Sequence, residues 1–82
     1  MTSYEEFRRE KENYITLKKE VDRVCREAME GDVRDEADLE ARIEKVRELC
    51  RKLLPDRVHL FDRVYQSRIR RLWQQFGKAE SG

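Results

Sequence analysis

Apolar side chains recur at intervals of three and four residues along three stretches of this chain, and this spacing constrains the fold most. Such a spacing places side chains on one side of an α-helix, so each stretch predicts a helix with one apolar face. Three faces of this kind can bury one another in a bundle. In the first set, Glu10 interrupts the spacing between Phe7 and Tyr14. The three sets are Phe7, Tyr14, Leu17, Val21, Val24 and Ala28; Leu39, Ile43, Val46, Leu49, Cys50 and Leu53; and Val58, Phe61, Tyr65, Ile69, Leu72 and Phe76.

The ends of the first two predicted helices carry recognisable capping residues. Ser3 and Glu6 have the spacing of a capping box, which predicts a first helix over residues 4–30. Gly31 suits the left-handed position just after a helix, and Asp35 suits the N-cap of the second helix. Because the connection between these helices is so short, we expect them to be antiparallel neighbours.

Pro55 separates the second and third sets, and its effect decides the architecture. Proline removes a backbone donor and disfavours helical geometry at the preceding residue, so we predict a corner there. The sequence then predicts an all-α fold, an antiparallel three-helix bundle, with residues 1–76 as one helical domain and 77–82 as a flexible tail. The alternative is a helical hairpin in which Pro55 only kinks a second helix over residues 36–76, and which dimerises to cover its surplus apolar face.

Composition argues against several classes of protein. The chain has 19 basic and 18 acidic residues, so it has no global field to attract nucleic acid or anionic lipid. It has neither an apolar run long enough to span a bilayer nor a signal-peptide core, and we expect a cytoplasmic protein that does not bind a membrane. The antiparallel hairpin places Cys25 and Cys50 far apart along the bundle, which predicts two reduced core thiols.

The residues needed for catalysis or metal binding are not assembled by any motif. His59 is the only histidine, and its neighbours Asp56 and Asp62 lie on the same helix without a second His or a Cys to complete a zinc site. No serine or cysteine has a histidine within a turn. We therefore predict that the chain is not an enzyme and carries no metal and no cofactor.

The third helix is the best candidate for a functional surface. Residues 55–82 hold six basic and three acidic residues, and apolar Leu60 and Val64 lie opposite the predicted core stripe. We predict a small non-catalytic protein–protein interaction or assembly module, an adaptor or regulatory subunit that binds a protein partner or forms a homodimer. The predicted partner-binding residues are Leu60, Arg63, Val64, Arg70, Arg71 and Trp73.

Three alternatives stay open at this point. Trp73 either anchors a partner or covers the end of the bundle near Met29. Tyr4 and Ile15, which leave the apolar stripe of the first helix, form either a second edge of the core or a self-association face. The alternative function is nucleic-acid binding through Arg68, Arg70 and Arg71, although these side chains do not share one face of the helix.

Overall fold

The computed structural model describes residues 2–77, which form three helices with no β-strand among them. Helix α1 spans Thr2–Glu30, and helix α2 spans Glu36–Leu53. Helix α3 follows one continuous path over residues 55–77. It starts with a 3₁₀ turn at Pro55–Arg57, has α-helical turns at Val58–Leu60 and Gln66–Leu72, and widens into π turns at Phe61–Tyr65 and Trp73–Gly77. The predicted all-α, antiparallel three-helix fold is confirmed. Residues 78–82 of the predicted tail lie outside the described residues.

The turn between α1 and α2 uses the capping residues that the sequence indicates. Gly31 takes a φ of 82°, a left-handed value that costs glycine little. The Asp35 carboxylate accepts a hydrogen bond of 2.8 Å from the backbone N–H of Asp38, as an N-cap does. At the other end of α1 the prediction is wrong, because the helix already includes Thr2 and Ser3 therefore lies inside it.

The corner between α2 and α3 is a true break in the helix. Leu54 has φ −138° and ψ 68°, outside the helical region, and its N–H still donates to the carbonyl of Cys50 at 2.7 Å. Pro55 follows as the first residue of α3, where its missing N–H has no helical partner to lose. The kinked-helix alternative is therefore wrong. Asn13 of α1 donates to the carbonyl of Leu53 at 3.2 Å, which holds the corner level with Asn13.

The core is a single cluster that draws on all three helices and on the α1–α2 turn. Cys25 and Cys50 belong to it as free, buried thiols, and burial raises the pKa of both. A protonated thiol in an apolar setting behaves as a small hydrophobic side chain. The buried residues are Leu17, Val21, Val24, Cys25, Ala28, Val33, Leu39, Ile43, Val46, Cys50, Leu54, Phe61, Ile69 and Trp73.

The buried side of α3 follows steps of four residues. Phe61 and Ile69 are fully buried, Tyr65 between them is half-buried, and Trp73 is 8% exposed. In an ideal α-helix each step of four drifts by about 40° around the axis. A π turn holds an extra residue and reduces that drift, so these residues stay on one side. The prediction that Phe76 belongs to the core is wrong, since it is 53% exposed.

The end of α3 packs closely against the backbone of α1 at Gly77. A Cβ on Gly77 would lie 2.2 Å from the carbonyl oxygen of Ala28 and 2.6 Å from Cδ1 of Trp73. Only glycine permits this approach without movement of the α1 backbone. Gly77 therefore fixes how near α3 comes to α1, which in turn keeps the indole of Trp73 inside the core.

Neighbouring residues on α3 provide a test of the packing. Phe61 is 1% exposed and Leu60 is 44% exposed. We expect Phe61→Ala to lower the free energy of unfolding by about 3–5 kcal/mol, because it leaves a cavity in the core, and Leu60→Ala to lower it by less than about 1 kcal/mol. Urea denaturation followed by circular dichroism measures both. Equal losses for the two variants would contradict the packing described here.

Candidate interaction surface

The three helices differ in length, and the mismatch leaves part of α1 uncovered. Helix α1 has 29 residues, whereas α2 has 18 and reaches the corner level with Asn13. Residues 2–12 of α1, termed the arm below, therefore extend past the corner by about 16 Å. Every side chain described in the arm, from residue 3 to residue 12, is exposed. The arm has no packing neighbour in the described part of the chain.

Two aromatic side chains are exposed on the arm. Tyr4 is 72% exposed and Phe7 is 66% exposed. The assignment of Phe7 to a buried stripe is wrong, since the stripe continues along α1 beyond the reach of α2 and α3. The core-edge interpretation of Tyr4 and Ile15 is also wrong, because Ile15 is 45% exposed.

A groove of about 240 Å³ lies at the base of the arm, where α1 meets the start of α3. Tyr14 borders it and donates to, or accepts from, the hydroxyl of Tyr65 at 3.4 Å. Leu60 and Val64 form the α3 wall and are 44% and 53% exposed. Phe7 lies two helical turns from Tyr14 on the same side of α1. The exposed carboxylate of Glu10 lies between Phe7 and Tyr14 on that side, so it separates Phe7 from the groove.

We call this surface the α1–α3 face. Its exposed apolar residues are Tyr4, Phe7, Tyr14, Ile15, Leu60 and Val64. Its exposed cations, which are seven residues apart on α1 and eleven and three residues apart on α3, are Lys11 and Lys18 on α1 and Arg57, Arg68 and Arg71 on α3.

The cations of the α1–α3 face are not neutralised by neighbouring carboxylates. Among residues 2–77, no salt bridge involves any of the five. Glu10 and Asp22 on α1 and Asp56 next to Arg57 are exposed acidic residues near the same helix edges. Arg68 and Asp22 both act on Tyr65, whose pKa is raised by its hydrogen bond to Tyr14 and by burial. The face therefore combines exposed apolar side chains with charges of both signs.

The opposite side of α3, which faces α2, has its charges paired. Arg47 of α2 makes two hydrogen bonds to the Asp62 carboxylate at 3.0 and 3.2 Å, and this contact lowers the pKa of Asp62. Arg70 donates to Glu40, whose pKa is likewise lowered by that hydrogen bond. Two-point contacts of an arginine with a carboxylate fix orientation as well as charge. This side of α3 is thus engaged within the bundle.

The six predicted partner-binding residues are therefore divided among three environments. Leu60, Val64 and Arg71 are exposed on the α1–α3 face. Arg63 is exposed nearer the α2 side, and Arg70 is half-buried in its pair with Glu40. Trp73 belongs to the core, which agrees with the alternative that it covers the end of the bundle. The arm is not among the predicted sites. The signal that could have indicated it is the length of α1, which exceeds the length of α2 and leaves Tyr4 and Phe7 without a covering helix.

A second, larger concavity of about 630 Å³ lies between α1 and α2, and both charged and apolar side chains line it. Arg42 at its centre donates to Glu27 at 2.7 Å and to Asp38 at 3.1 Å. The hydrogen bond from Arg42 lowers the pKa of Asp38. The Arg42–Glu27 pair joins α2 to α1, whereas the Arg42–Asp38 pair lies within α2.

Within residues 2–77, no three His, Cys, Asp or Glu side chains are grouped closely enough to hold a metal ion. No helix among those residues is both long and apolar enough to cross a bilayer. Of the acids beside His59 in the sequence, Asp62 is already engaged by Arg47.

Comparison with known proteins gives no relative: no family model, no curated protein and no solved structure matches this chain.

The uncovered arm should be less protected from hydrogen exchange than the rest of α1. An isolated helical segment of about ten residues is marginal in water without tertiary contacts. We expect the amides of residues 5–12 to exchange at least about a hundredfold faster than those of residues 17–28, measured by NMR on the purified chain. Similar protection along the whole of α1 would show that something covers the arm.

The ion pairs between α2 and α3 predict how stability depends on pH. The pKa values of Glu40 and Asp62 are lowered in the folded chain, so the pairs stabilise it fully above the ordinary carboxyl pKa. That stabilisation is lost as the pH falls through the lowered values, below about pH 4. We expect Asp62→Asn to make the free energy of unfolding fall less steeply as the pH is lowered. Urea denaturation between pH 2 and 7 measures this. Arg47→Gln should reduce this pH dependence equally, and the double variant should reduce it no further. Additive effects of the two substitutions would contradict the pairing.

Proposed function

We propose that this chain is a small non-catalytic protein-interaction module and that the α1–α3 face is its binding surface. The observation that carries the proposal is the arm, where the aromatic side chains of Tyr4 and Phe7 are exposed beyond the reach of α2 and α3. Neighbouring aromatic side chains of a helix are ordinarily covered, because exposed apolar area on a folded chain is unfavourable in water.

The extent of the exposed apolar surface supports this function. The six apolar side chains of the α1–α3 face together expose on the order of 700 Å². The largest apolar patch of a typical monomer is about 300–600 Å², and one partner in a standard protein interface contributes about 800 Å². The face thus has the size and composition of one half of a protein interface.

The arrangement of the arginines favours a protein over nucleic acid as the partner. Of the three residues in the nucleic-acid hypothesis, Arg70 is held by Glu40, which leaves Arg68 and Arg71 exposed. Phosphate recognition uses clustered cations, whereas the centre of the α1–α3 face is occupied by aromatic and aliphatic side chains. Protein interfaces have this composition, with an apolar centre and a polar rim.

The chemistry of the side chains supports a non-catalytic role. Thiolates rather than thiols act as nucleophiles, and burial raises the pKa of both cysteines. The carboxylates with lowered pKa values are each held by an arginine in an ion pair that joins parts of the bundle.

Photo-cross-linking tests the proposed surface with a well-matched control. We expect benzoylphenylalanine in place of Phe7 to cross-link a specific protein in cells that naturally contain this chain. The same substitution at Phe76 provides the control, because Phe76 is similarly exposed, at 53% against 66%, but lies at the opposite end of the bundle. Mass spectrometry identifies the adducts.

The cross-linked protein must then bind directly. We expect the purified partner to bind the purified chain and Leu60→Ser to weaken that binding about tenfold, since Leu60 is at the centre of the face. The same set of adducts at both positions, no protein adduct at Phe7, or a nucleic-acid adduct there would overturn the proposed function.

A further inference from the structure

We infer that the partner of this chain is a second copy of itself, in a two-fold dimer in which the arm of each copy lies in the groove of the other. The inference rests on the proposed function and specifies the partner. The observation behind it is that one chain exposes both halves of a contact: aromatic side chains on the arm and an apolar groove at the base of the arm.

The groove and the arm are complementary in shape. The groove has a volume of about 240 Å³, and the exposed side chains of Leu60 and Val64 form its α3 wall. Phe7 cannot fill the groove of its own chain, because Phe7 and Tyr14 lie two turns apart on one continuous helix. The groove of a second copy has no such restriction. One chain therefore supplies both an aromatic anchor and a site for it.

The direction of the helices allows the exchange to be reciprocal. Helix α3 runs parallel to α1, from the corner level with Asn13 to the contact of Gly77 with Ala28. When the α1 helices of two copies are antiparallel, the arm of one copy runs antiparallel to α3 of the other. Helix α3 of each copy then takes the uncovered position beside the arm of its partner. Such a two-fold contact closes on itself and leaves neither arm uncovered.

The spacing of the apolar residues fits this arrangement. Antiparallel helices count in opposite directions, so residues that follow Phe7 along the arm meet residues that precede Leu60 on α3. With Phe7 against Leu60 of the second copy, Tyr4 lies three residues back and reaches the level of Val64 of the second copy. Two aromatic side chains thus meet the two exposed aliphatic side chains of the groove.

The same register brings opposite charges together. Glu10 lies beside Arg57 of the second copy, and Lys11 lies beside Asp56 of the second copy. Within one chain, none of these four exposed side chains takes part in a salt bridge among the described residues. Each contact occurs twice in a two-fold dimer. Complementary charges of this kind fix the register of an interface and disfavour other partners.

The remaining charges of the arm do not oppose the contact. At 100° per residue, the four contact residues of the arm lie within about 120° of the helix circumference. Glu6 and Arg8 border this side with opposite signs, one on each edge. Glu5, Arg9 and Glu12 lie on the opposite side, and Glu12 is paired with Arg8 at 3.6 Å. The arm therefore brings no excess of one sign to the interface.

The charges around the groove agree with the arm as its occupant. Lys18 follows the groove residue Leu17 on α1 and so faces the first turn of the second arm, which carries Glu5 and Glu6. Val64 is already level with Tyr4 of the second copy, so residues further along α3 meet no part of the arm. The charges at or beyond the end of the second arm are Asp22, Arg68 and Arg71.

A second copy accounts for both exposed surfaces with one contact. Glu10 separates Phe7 from the groove of its own chain, so one apolar partner helix along both surfaces would bury a carboxylate without a partner. In the dimer, α3 of the second copy covers the arm and the arm of the second copy fills the groove. Glu10 then lies beside a guanidinium instead of an apolar side chain.

The exposed apolar area is sufficient for a dimer of this kind. Two α1–α3 faces together expose on the order of 1,400 Å² of apolar side chain, and standard interfaces bury about 1,200–2,000 Å². Part of the binding free energy orders two arms that are marginal helices when free. We therefore expect a weak dimer, with a dissociation constant of about 100 µM.

Sedimentation equilibrium of the purified full chain tests the dimer. We expect the mass to rise from the 10.0 kDa of one chain towards twice that value as the concentration increases from about 10 µM to 1 mM. The fast hydrogen exchange of the arm predicted above belongs to the monomer. Exchange of the arm should therefore slow as the concentration increases through the same range.

A matched pair of phenylalanines locates the contact. We expect Phe7→Ser to weaken the dimer at least about tenfold, because Phe7 fills the groove. Phe76→Ser should change the dissociation constant less than about twofold, since Phe76 is similarly exposed but lies at the opposite end of the bundle. Unchanged circular dichroism shows that both variants keep their helices.

An exchange of charges tests the register. We expect Glu10→Lys and Arg57→Glu each to weaken the homodimer about tenfold, because each places like charges together twice. An equimolar mixture of these two variants should recover the original affinity as a heterodimer, since both contacts again join opposite charges. Glu44→Lys makes the same change on an exposed residue of α2 and should have less than about a twofold effect.

Three outcomes would overturn the inference: a monomer at 1 mM, equal effects of Phe7→Ser and Phe76→Ser, and no recovery in the mixture of Glu10→Lys with Arg57→Glu. The cross-linking experiment separates this inference from the proposed function. An adduct at Phe7 with a second copy of the chain supports both. An adduct only with a different protein would overturn the dimer and leave the proposed function standing, whereas no protein adduct would overturn the proposed function itself.

Discussion

The hydrogen bond between Asn13 and the carbonyl of Leu53 marks the point on which the rest of the structure depends. It joins Asn13 of α1 to the corner where α2 ends and α3 turns back along α1. Residues 13–30 of α1 lie on the side of the α1–α2 turn, where α2 and α3 pack against them. Residues 2–12 of α1 lie on the other side, where neither helix reaches. One corner thus sets both the extent of the core and the extent of the exposed arm.

Pro55 makes this corner, but it does so together with Leu54. The side chain of Leu54 is buried while its backbone leaves the helical region, so the chain turns around an apolar anchor. Proline then begins α3 with its φ already near the helical value. At the other end of α3 the close contact of Gly77 with Ala28 limits where the helix can finish. With both ends fixed, the π turns between them adjust the rotation so that residues four apart stay buried.

Much of the fold could be predicted from sequence because helical periodicity is a local signal. The stripes of α2, the N-cap at Asp35 and the break at Pro55 all depend on residues close together in the chain. The burial of Trp73 and the exposure of Phe76 could not be predicted in the same way, since they depend on π turns that no residue type indicates. Phe7 shows a second limit: periodicity identifies an apolar stripe but does not tell which turns of it find a neighbour. Whether a given turn is covered depends on the relative lengths of the packed helices.

The candidate surface was harder to predict than the fold, for a reason that concerns charge. Arg70 and Arg71 are adjacent cations on different sides of α3: Arg70 meets Glu40 across 30 residues of sequence, whereas Arg71 forms no salt bridge among the described residues. Pairing over such separations is a property of the assembled bundle. Once Arg70 is paired with Glu40, Arg57, Arg68 and Arg71 remain exposed near Leu60 and Val64, and Arg63 remains exposed nearer α2. The packed helices therefore decide which charges of α3 stay exposed, and the helical wheel of α3 alone does not show it.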